Sequence, residues 1–227
     1  MPAIVKAEHF STVDDCSLQD LERRMLRMYR AAPLITRIHL RLRIWNYPRR
    51  MWPYLSGLEG SFLTLGVGYA MVEAMVALRN PATRFRAVDR SSWRIAIARK
   101  ALADVPNLTL EVLDLDSAFP GGRVDGFLLI DILHHLAPPV QEAVLHNAAR
   151  ALLPNGTLIV KECGTRPFWK KVVNYLTDAI GAPFERTWPR SESEWAGIFR
   201  GLGLEVQTVR IDAGSPYAHI LVIGRKV

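Results

Sequence analysis

Apolar and polar positions along the chain follow periods that predict strands and helices in alternation. Runs such as 124–130 are nearly continuous in apolar content, as in strands that are covered on both faces. The first five strands are predicted to be parallel and connected as βαβ units. The link 212–216 is too short for a helical crossover, so the last two strands should form an antiparallel hairpin at the sheet edge. The predicted strands lie near 62–65, 84–88, 108–112, 124–130, 157–162, 204–211 and 217–224, and the predicted helices near 70–79, 92–104, 139–152, 168–180 and 192–202.

The N-terminal part of the chain predicts helices with a basic and an apolar side. Residues 17–20 (Ser-Leu-Gln-Asp) resemble a helix cap, and a first helix is predicted over 18–31. A second helix is predicted over 34–45, with apolar residues on one face and arginines on its flank. The apolar residues are Leu34, Ile38, Leu42 and Trp45, and the arginines are Arg37 and Arg41. Residues 1–54 are therefore predicted to form a basic amphipathic lid or arm, followed by one domain over 55–227.

Positive charge is concentrated in this arm. Residues 21–58 hold nine arginines and a single acidic residue, Glu22, a local excess of +8 in a chain whose net charge is +7. Two interpretations stay open. The arginines form a solvated face while the apolar face packs on the domain, or they contact an acidic partner such as a carrier protein, an anionic lipid surface, a phosphorylated substrate or RNA. The aromatic residues among these arginines could stack bases or line an apolar pocket, and they are Trp45, Tyr47, Trp52 and Tyr54.

Length and composition fit a single α/β unit with a helical extension, since 227 residues with 49% hydrophobic content can bury a sizeable core. No apolar run reaches the length of a transmembrane helix, and the N-terminus lacks the features of a signal peptide. We therefore expect a cytoplasmic protein. The two cysteines, Cys16 and Cys163, predict neither a disulfide framework nor a metal cage.

The stretch 62–70 (Phe-Leu-Thr-Leu-Gly-Val-Gly-Tyr-Ala) breaks an apolar run with Gly-x-Gly and continues into a helical pattern. Asp89 follows Gly68 by 21 residues and closes a second apolar run. This is the sequence form of a strand, a tight glycine turn, a helix and a second strand that ends in a carboxylate able to bind a ribose. The pattern predicts a cofactor that carries a nucleoside. The alternative is a turn that needs glycine only for its backbone angles.

In order along the chain, several segments resemble the class I S-adenosylmethionine-dependent methyltransferases over roughly 55–227. They are the glycine turn 66–68, the strand-end Asp89, and the segments 107–114, 131–136 and 152–160. The resemblance implies an α/β fold with a Rossmann-like, seven-stranded, mostly parallel sheet and an antiparallel closing hairpin, to which the N-terminal helical extension is added. It also implies S-adenosyl-L-methionine as the cofactor.

The resemblance implies roles for individual residues. The backbone of the two glycines approaches the methionine and ribose parts of the cofactor, and Asp89 accepts hydrogen bonds from both ribose hydroxyls. Asp114 accepts from the adenine amino group, the Leu115 amide donates to the ring, and Asp131 lies beside the methyl donor. For each aspartate, a helix cap or a solvated loop is the alternative. The full implied set is Leu65, Gly66, Gly68, Asp89, Arg90, Asp114, Leu115 and Asp131.

Two positions depart from the family pattern. Thr64 stands where the family usually has an acidic residue, and Ala70 stands where a third glycine is common. A lost charge-assisted hydrogen bond is worth roughly 1.5 to 3 kcal/mol, so cofactor binding could be weakened or the site vestigial.

The catalytic base is predicted at the tip of the fourth strand. His134 and His135 lie there, and a histidine near its ordinary pKa suits removal of a hydroxyl proton. We favour His135, with Glu162 at the end of the fifth strand as the second candidate, and a packing or capping role as the alternative for the histidines. The acceptor-side wall is predicted from Arg166, Trp169, Asn174 and Tyr175, unless they belong to an ordinary amphipathic helix.

The class of methyl acceptor is narrowed by the absence of motifs that are typical of nucleic acid methyltransferases. The segment after the fourth strand is Asp-Ile-Leu-His-His, which lacks the Pro-Pro-aromatic motif of enzymes that methylate amino groups of nucleic acid bases. No Pro-Cys motif supports cytosine methylation. Asp131 and Lys161 match two members of a ribose-methylating Lys-Asp-Lys-Glu set, but the leading lysine is missing. We therefore predict O-methylation of a small, hydrophobic hydroxylated acceptor, free or bound to a carrier protein as a lipid or polyketide.

Other functions stay open. A nicotinamide-dependent oxidoreductase shares the Gly-x-Gly and the later aspartate, but the missing third glycine and the closing hairpin argue against it. A catalytically silent module could keep the fold and use its arginines for an acidic partner, and an RNA methyltransferase is the third alternative. A nucleic acid partner is not expected, and a homodimer is compatible with the sequence.

Overall fold

The computed structural model of the protein describes residues 15–115, 119–167, 169–170 and 187–227. The chain divides into two compact units, Met1–Pro120 and Gly121–Val227. The predicted helix near 168–180 lies almost entirely outside the described residues. None of the helices in the described ranges has both the length and the apolar character needed to cross a membrane.

The first unit contains three parallel strands in the order β3-β2-β1. Leu65 at the end of β1 lies beside Val88, and Asp89 at the end of β2 lies beside Val112. The carboxyl ends of the three strands therefore meet at one edge, where ligands bind in open α/β sheets. The elements are α1 (Asp15–Met28), α2 (Leu34–Asn46), α3 (Trp52–Leu55), β1 (Gly60–Leu65), α4 (Met71–Arg79), β2 (Thr83–Asp89), α5 (Ser92–Ala101) and β3 (Leu108–Val112).

Three α-helices precede β1 in the described residues, of which α1 and α2 match predicted helices and α3 was not predicted. Helix α1 begins at Asp15, so the predicted cap at Ser17 is wrong, because this serine lies inside the first turn of the helix. The buried side of α2 is formed by Thr36 and Leu40. The predicted apolar face lies on the other side of α2 and is exposed, which corrects the interpretation that it packs on the domain.

The second unit contains four strands in the order β4-β5-β7-β6. Strand β5 is parallel to β4, whereas β7 is antiparallel to both β5 and β6, which confirms the predicted hairpin. The register between β4 and β5 shifts between Val124 and Gly126, and β5 begins five residues earlier than predicted. The elements are β4 (Val124–Ile130), α6 (Pro138–Ala151), β5 (Leu152–Cys163), α7 (Glu192–Gly201), β6 (Leu204–Arg210) and β7 (His219–Lys226).

The apolar segments of the sequence form the hydrophobic core of each unit. Phe127, Leu128 and Leu129 in β4 are fully buried, as expected for a strand covered on both faces. Trp195 and Phe199 on α7 are also fully buried. The seven strands and the antiparallel hairpin confirm the predicted α/β fold class with a mostly parallel, seven-stranded sheet.

Candidate functional site

The turn after β1 is built by glycines in left-handed conformations. Gly66 has φ 68° and Gly68 has φ 57°, a region that favours glycine. The Gly66 and Val67 amides both donate to the Val88 carbonyl, at 2.8 and 3.2 Å. A Cβ atom added at Gly68 would meet no other atom within 4 Å, so the backbone there borders open space. This space suits the close approach of a ligand to the main chain.

Asp89 fastens the glycine turn to the start of α5. One carboxylate oxygen accepts from the Gly68 amide at 2.7 Å, and the other accepts from the Ser91 amide at 2.8 Å. Asp89 as a whole is 6% exposed. A carboxylate has about four acceptor positions, so two remain for a ligand beyond these amides. The arrangement fits the diol of a ribose.

A buried carboxylate on α4, Glu73, was missed by the sequence reasoning. It is 4% exposed, and the Thr64 hydroxyl lies close enough to act on the pKa of its carboxyl group. Burial raises the pKa of Glu73 to about 7, although its own backbone amide, Thr64 and the charge of Arg43 act in the opposite direction. Helix α4 therefore places a carboxylate next to the position where the family's acidic residue is absent. The available signal was an acidic residue in an otherwise apolar helix.

Tyr69 connects the glycine turn to the N-terminal helices. The Tyr29 hydroxyl donates to the Tyr69 carbonyl at 2.5 Å, and the Thr36 hydroxyl donates to the Tyr69 hydroxyl at 3.3 Å. The rings of His39 and Trp93 contact the Tyr69 ring, with centroid distances of 5.4 and 6.0 Å. Helix α2 and the residue that directly follows α1 therefore contact the residue after the glycine turn in the first unit.

The other predicted cofactor residues of this unit lie at the same edge. Leu65 is buried at the end of β1, and Arg90 is exposed directly after Asp89. Asp114 is exposed and Leu115 half-buried after β3. The Leu113 amide donates to the Asp89 carbonyl at 3.0 Å, which ties this segment to the end of β2. Their contacts with a cofactor stay predictions.

Asp131 follows β4 in the second unit and is paired with a lysine. Its φ is 51°, an uncommon value for a residue with a side chain. The Lys161 Nζ atom lies 2.5 Å from Asp131 Oδ1, and both side chains are largely buried. The ammonium balances the Asp131 charge, which bears on its predicted role beside a positively charged methyl donor.

Glu162 holds the segment that follows β4. One carboxylate oxygen accepts from the Ile132 and Leu133 amides at 3.2 and 2.7 Å, and the other contacts His134 Nδ1. Glu162 and His134 are buried, whereas His135 is half-buried and its ring centroid is 4.1 Å from that of His134. Because Glu162 already binds two amides and an imidazole, it is better placed to orient other groups than to remove a proton.

Among the described residues, one group of side chains has a spacing compatible with a metal ion. The potential ligand atoms of Asp131, His134 and Cys163 all lie within 4.8 Å of one another. The Lys161 ammonium already contacts Asp131, however, and would repel a cation. No metal role follows from this cluster.

The predicted acceptor-side residues lie in the second unit. Arg166 is exposed, and its carbonyl accepts from Arg210 at 2.9 Å. Trp169 is 56% exposed, with the Lys170 ammonium 5.5 Å from its ring centroid. Asn174 and Tyr175 were also predicted here and are outside the described residues.

Residues 62–156 match a family model described as a methyltransferase domain. The chain contains a methyltransferase domain. The matched range includes the glycine turn, Asp89, Asp131 and both histidines. It agrees with the resemblance to the class I S-adenosylmethionine-dependent methyltransferases, which implies S-adenosyl-L-methionine as the cofactor. No curated protein matches the chain in sequence.

The methyltransferase domain is similar in fold to several solved structures. The pyocyanin biosynthetic protein PhzM is 19% identical with a TM-score of 0.69, and the match covers 88% of this chain and 60% of PhzM. The S-adenosylmethionine-dependent methyltransferase SibL in its apo form is 18% identical with a TM-score of 0.70, over 96% and 72% of the two chains. An O-methyltransferase family 2 protein from Planctomyces limnophilus, in complex with apigenin, is 18% identical with a TM-score of 0.65, over 96% and 63%. The chain thus spans about three fifths of the length of PhzM.

Proposed function

We propose that the protein is an S-adenosylmethionine-dependent O-methyltransferase that acts on a small, hydrophobic hydroxylated acceptor. The observation that carries the proposal is Asp89, whose carboxylate is held by the Gly68 and Ser91 amides next to open space at the glycine turn. When bound, the cofactor supplies the methyl group. The solved O-methyltransferase with apigenin supports an oxygen acceptor by analogy of fold.

In this proposal, residues of the first unit bind and orient the cofactor. The left-handed turn at Gly66 and Gly68 lets the main chain approach it without a clash of side chains. Asp89 binds the ribose hydroxyls, and Asp114 with the Leu115 amide binds the adenine. Leu65 and Arg90 flank these contacts.

The second unit provides the proposed proton acceptor. A carboxylate can only accept a hydrogen bond from an imidazole, so Glu162 keeps the proton of His134 on Nδ1. The His135 ring packs against this fixed ring at a tilt and is less buried, which favours it as the group that takes the hydroxyl proton of the acceptor. The proposed acceptor wall is formed by Arg166, Trp169, Asn174 and Tyr175.

Further details belong to the proposal as well. The acceptor is free or bound to an acidic carrier protein as a lipid or polyketide, the protein is cytoplasmic, and a homodimer is compatible with it. The second candidate function is a catalytically silent module, favoured by Thr64 and Ala70. Glu73 weakens that alternative, because a carboxylate is present beside Thr64.

Titration calorimetry with S-adenosylmethionine, S-adenosylhomocysteine and NADH tests the proposal. We expect micromolar binding of the two adenosyl compounds to the wild type, at least a tenfold loss in Asp89→Ala, and no loss in the control Asp104→Ala, whose aspartate is exposed in the same unit. Binding of none of the compounds would favour the silent module. Preferential binding of NADH would favour the oxidoreductase. If the adenosyl compounds bind, methyl transfer to hydroxylated aromatic compounds tests the acceptor class.

A further inference from the structure

Helix α2 exposes a stripe of large apolar side chains to solvent. Five of the nine large apolar residues that are exposed in the described ranges belong to this 13-residue helix. Their spacing places them on one side of the helix. We name them the α2 stripe, and its members are Leu34 (65% exposed), Ile35 (66%), Ile38 (42%), Leu42 (61%) and Trp45 (72%). A cluster of this kind marks an interaction site more often than isolated exposed residues do.

The α2 stripe does not hold the helix on the protein. Thr36 and Leu40 are 0% and 1% exposed and lie on the other side of α2. The Thr36 hydroxyl also donates to the Tyr69 hydroxyl. A partner can therefore cover the stripe while α2 keeps its packing in the first unit.

Arginines accompany the stripe. Arg37 and Arg41 are one turn apart on α2, and the helix contains no acidic residue. In the parts of the chain that the structure describes, neither arginine forms an ion pair with a carboxylate. Arg41 is exposed and Arg37 is half-buried, and Arg27 and Arg30, which precede α2, are exposed. The exposed side of the helix thus combines apolar side chains, one of them a tryptophan, with positive charge.

We infer that the α2 stripe docks on an anionic lipid surface. The apolar side chains would enter the boundary between headgroups and acyl chains, and the arginines would contact the lipid phosphates and carboxylates. Tryptophan is well suited to this boundary because its ring is amphipathic. A second copy of the chain would bring two sets of arginines together, and an acidic protein would need a groove for five apolar side chains. The docking does not rest on the proposed function.

Co-sedimentation with lipid vesicles tests the inference. The full chain is mixed with vesicles of phosphatidylcholine alone, or of phosphatidylcholine with about one third phosphatidylserine. We expect the wild type to bind the anionic vesicles at least tenfold more tightly and to be released by salt. Leu42→Glu/Trp45→Glu should lose about tenfold or more in binding to anionic vesicles, and so should Arg37→Glu/Arg41→Glu. The control Arg150→Glu/Arg200→Glu makes the same change of charge at exposed arginines of the second unit and should bind nearly as well as the wild type.

The outcomes separate the alternatives. Equal binding to both kinds of vesicle, or no binding, overturns the inference. An equal loss in the control overturns it too, because net charge alone would then explain binding. A wild-type dimer that Leu42→Glu/Trp45→Glu converts to monomer in sedimentation analysis would instead identify a second copy as the occupant. Circular dichroism of the same variants checks that they fold, and calorimetry with S-adenosylmethionine reports on the proposed function independently of lipid.

Discussion

The Glu162 carboxylate contacts the Nδ1 atom of the His134 imidazole, and both side chains are almost fully buried. The same carboxylate accepts from the Ile132 and Leu133 amides. A side chain from β5 thereby fixes the segment after β4 and the orientation of the imidazole. An uncharged amide of the same size cannot reproduce all of these contacts, since one of its two ends only donates.

We therefore expect Glu162→Gln to lower the rate constant of methyl transfer by about 100-fold and to change cofactor affinity little. Glu162→Ala should lower the free energy of unfolding by about 3 kcal/mol, since it leaves buried donors without an acceptor. Single-turnover kinetics and urea denaturation measure the two effects. Glu205→Gln, at an exposed position of β6, is the matched control. Unchanged kinetics in Glu162→Gln would remove Glu162 from the proposed machinery.

The ion pair of Asp131 and Lys161 allows a double-mutant test. Lys161→Met removes the ammonium from a largely buried carboxylate and should cost about 3 to 5 kcal/mol of stability. Adding Asp131→Asn removes the charge that was left behind and should recover part of this loss. Chemical denaturation of the two single variants and the double variant gives the coupling energy. A purely additive result would show that the pair contributes no interaction of its own.

The raised pKa of Glu73 predicts a pH dependence of stability. Because burial raises this pKa from 4.5 to about 7, the folded protein binds a proton that the unfolded chain has already released in this pH range. The stabilising contribution is complete below pH 4.5 and is lost as the pH rises through 7. Glu73→Gln resembles the protonated side chain, so it should be more stable than the wild type at pH 8, by up to about 3 kcal/mol, and the difference should vanish near pH 4.

Thermal or urea denaturation from pH 4 to 8 measures this difference. Glu59→Gln, an exposed glutamate in the same unit, should follow the wild type at each pH. A Glu73→Gln curve parallel to that of the wild type would mean that Glu73 titrates at its ordinary pKa when folded.

Two glycines of the second unit should respond oppositely to alanine. A Cβ atom at Gly156 would lie 2.8 Å from the Leu153 carbonyl oxygen and 2.9 Å from that of Asp125, so Gly156→Ala should cost about 2 kcal/mol. A Cβ atom at Gly197, within α7, would meet nothing within 4 Å, so Gly197→Ala should add about 0.5 to 1 kcal/mol. Chemical denaturation measures the free energy of unfolding of both variants. A higher stability of Gly156→Ala would contradict the close packing around Gly156 at the start of β5.

The fold was predictable where the local sequence pattern reflects the environment of the residues. The buried strand 124–130 and the link 212–216 indicated their structures correctly, because a continuous apolar run and a short connection each restrict the geometry. The sequence could not tell that the apolar side of α2 is exposed, since periodicity shows that a helix has two sides but not which of them is covered.

Contacts between distant residues were the least accessible part of the candidate site. Glu162 and His134 are 28 residues apart, and only the register of two strands brings them together. Glu73 lies near Thr64 but belongs to another element, so a motif read along one segment cannot reveal it. The position of Asp89 beside the glycine turn was predictable because its spacing from the glycines is set by one strand-turn-helix-strand unit.

Tyr69 directly follows the glycine turn and accepts hydrogen bonds from Tyr29, the residue after α1, and from Thr36 of α2. If α2 docks on lipid and the glycine turn binds the cofactor, the two ligands bind neighbouring parts of the first unit that Tyr69 connects. Thermodynamic linkage then requires that any factor by which the membrane changes cofactor affinity equals the factor by which the cofactor changes membrane affinity. A coupling of this kind would make the lipid surface an effector of cofactor binding, in addition to the place where the protein docks.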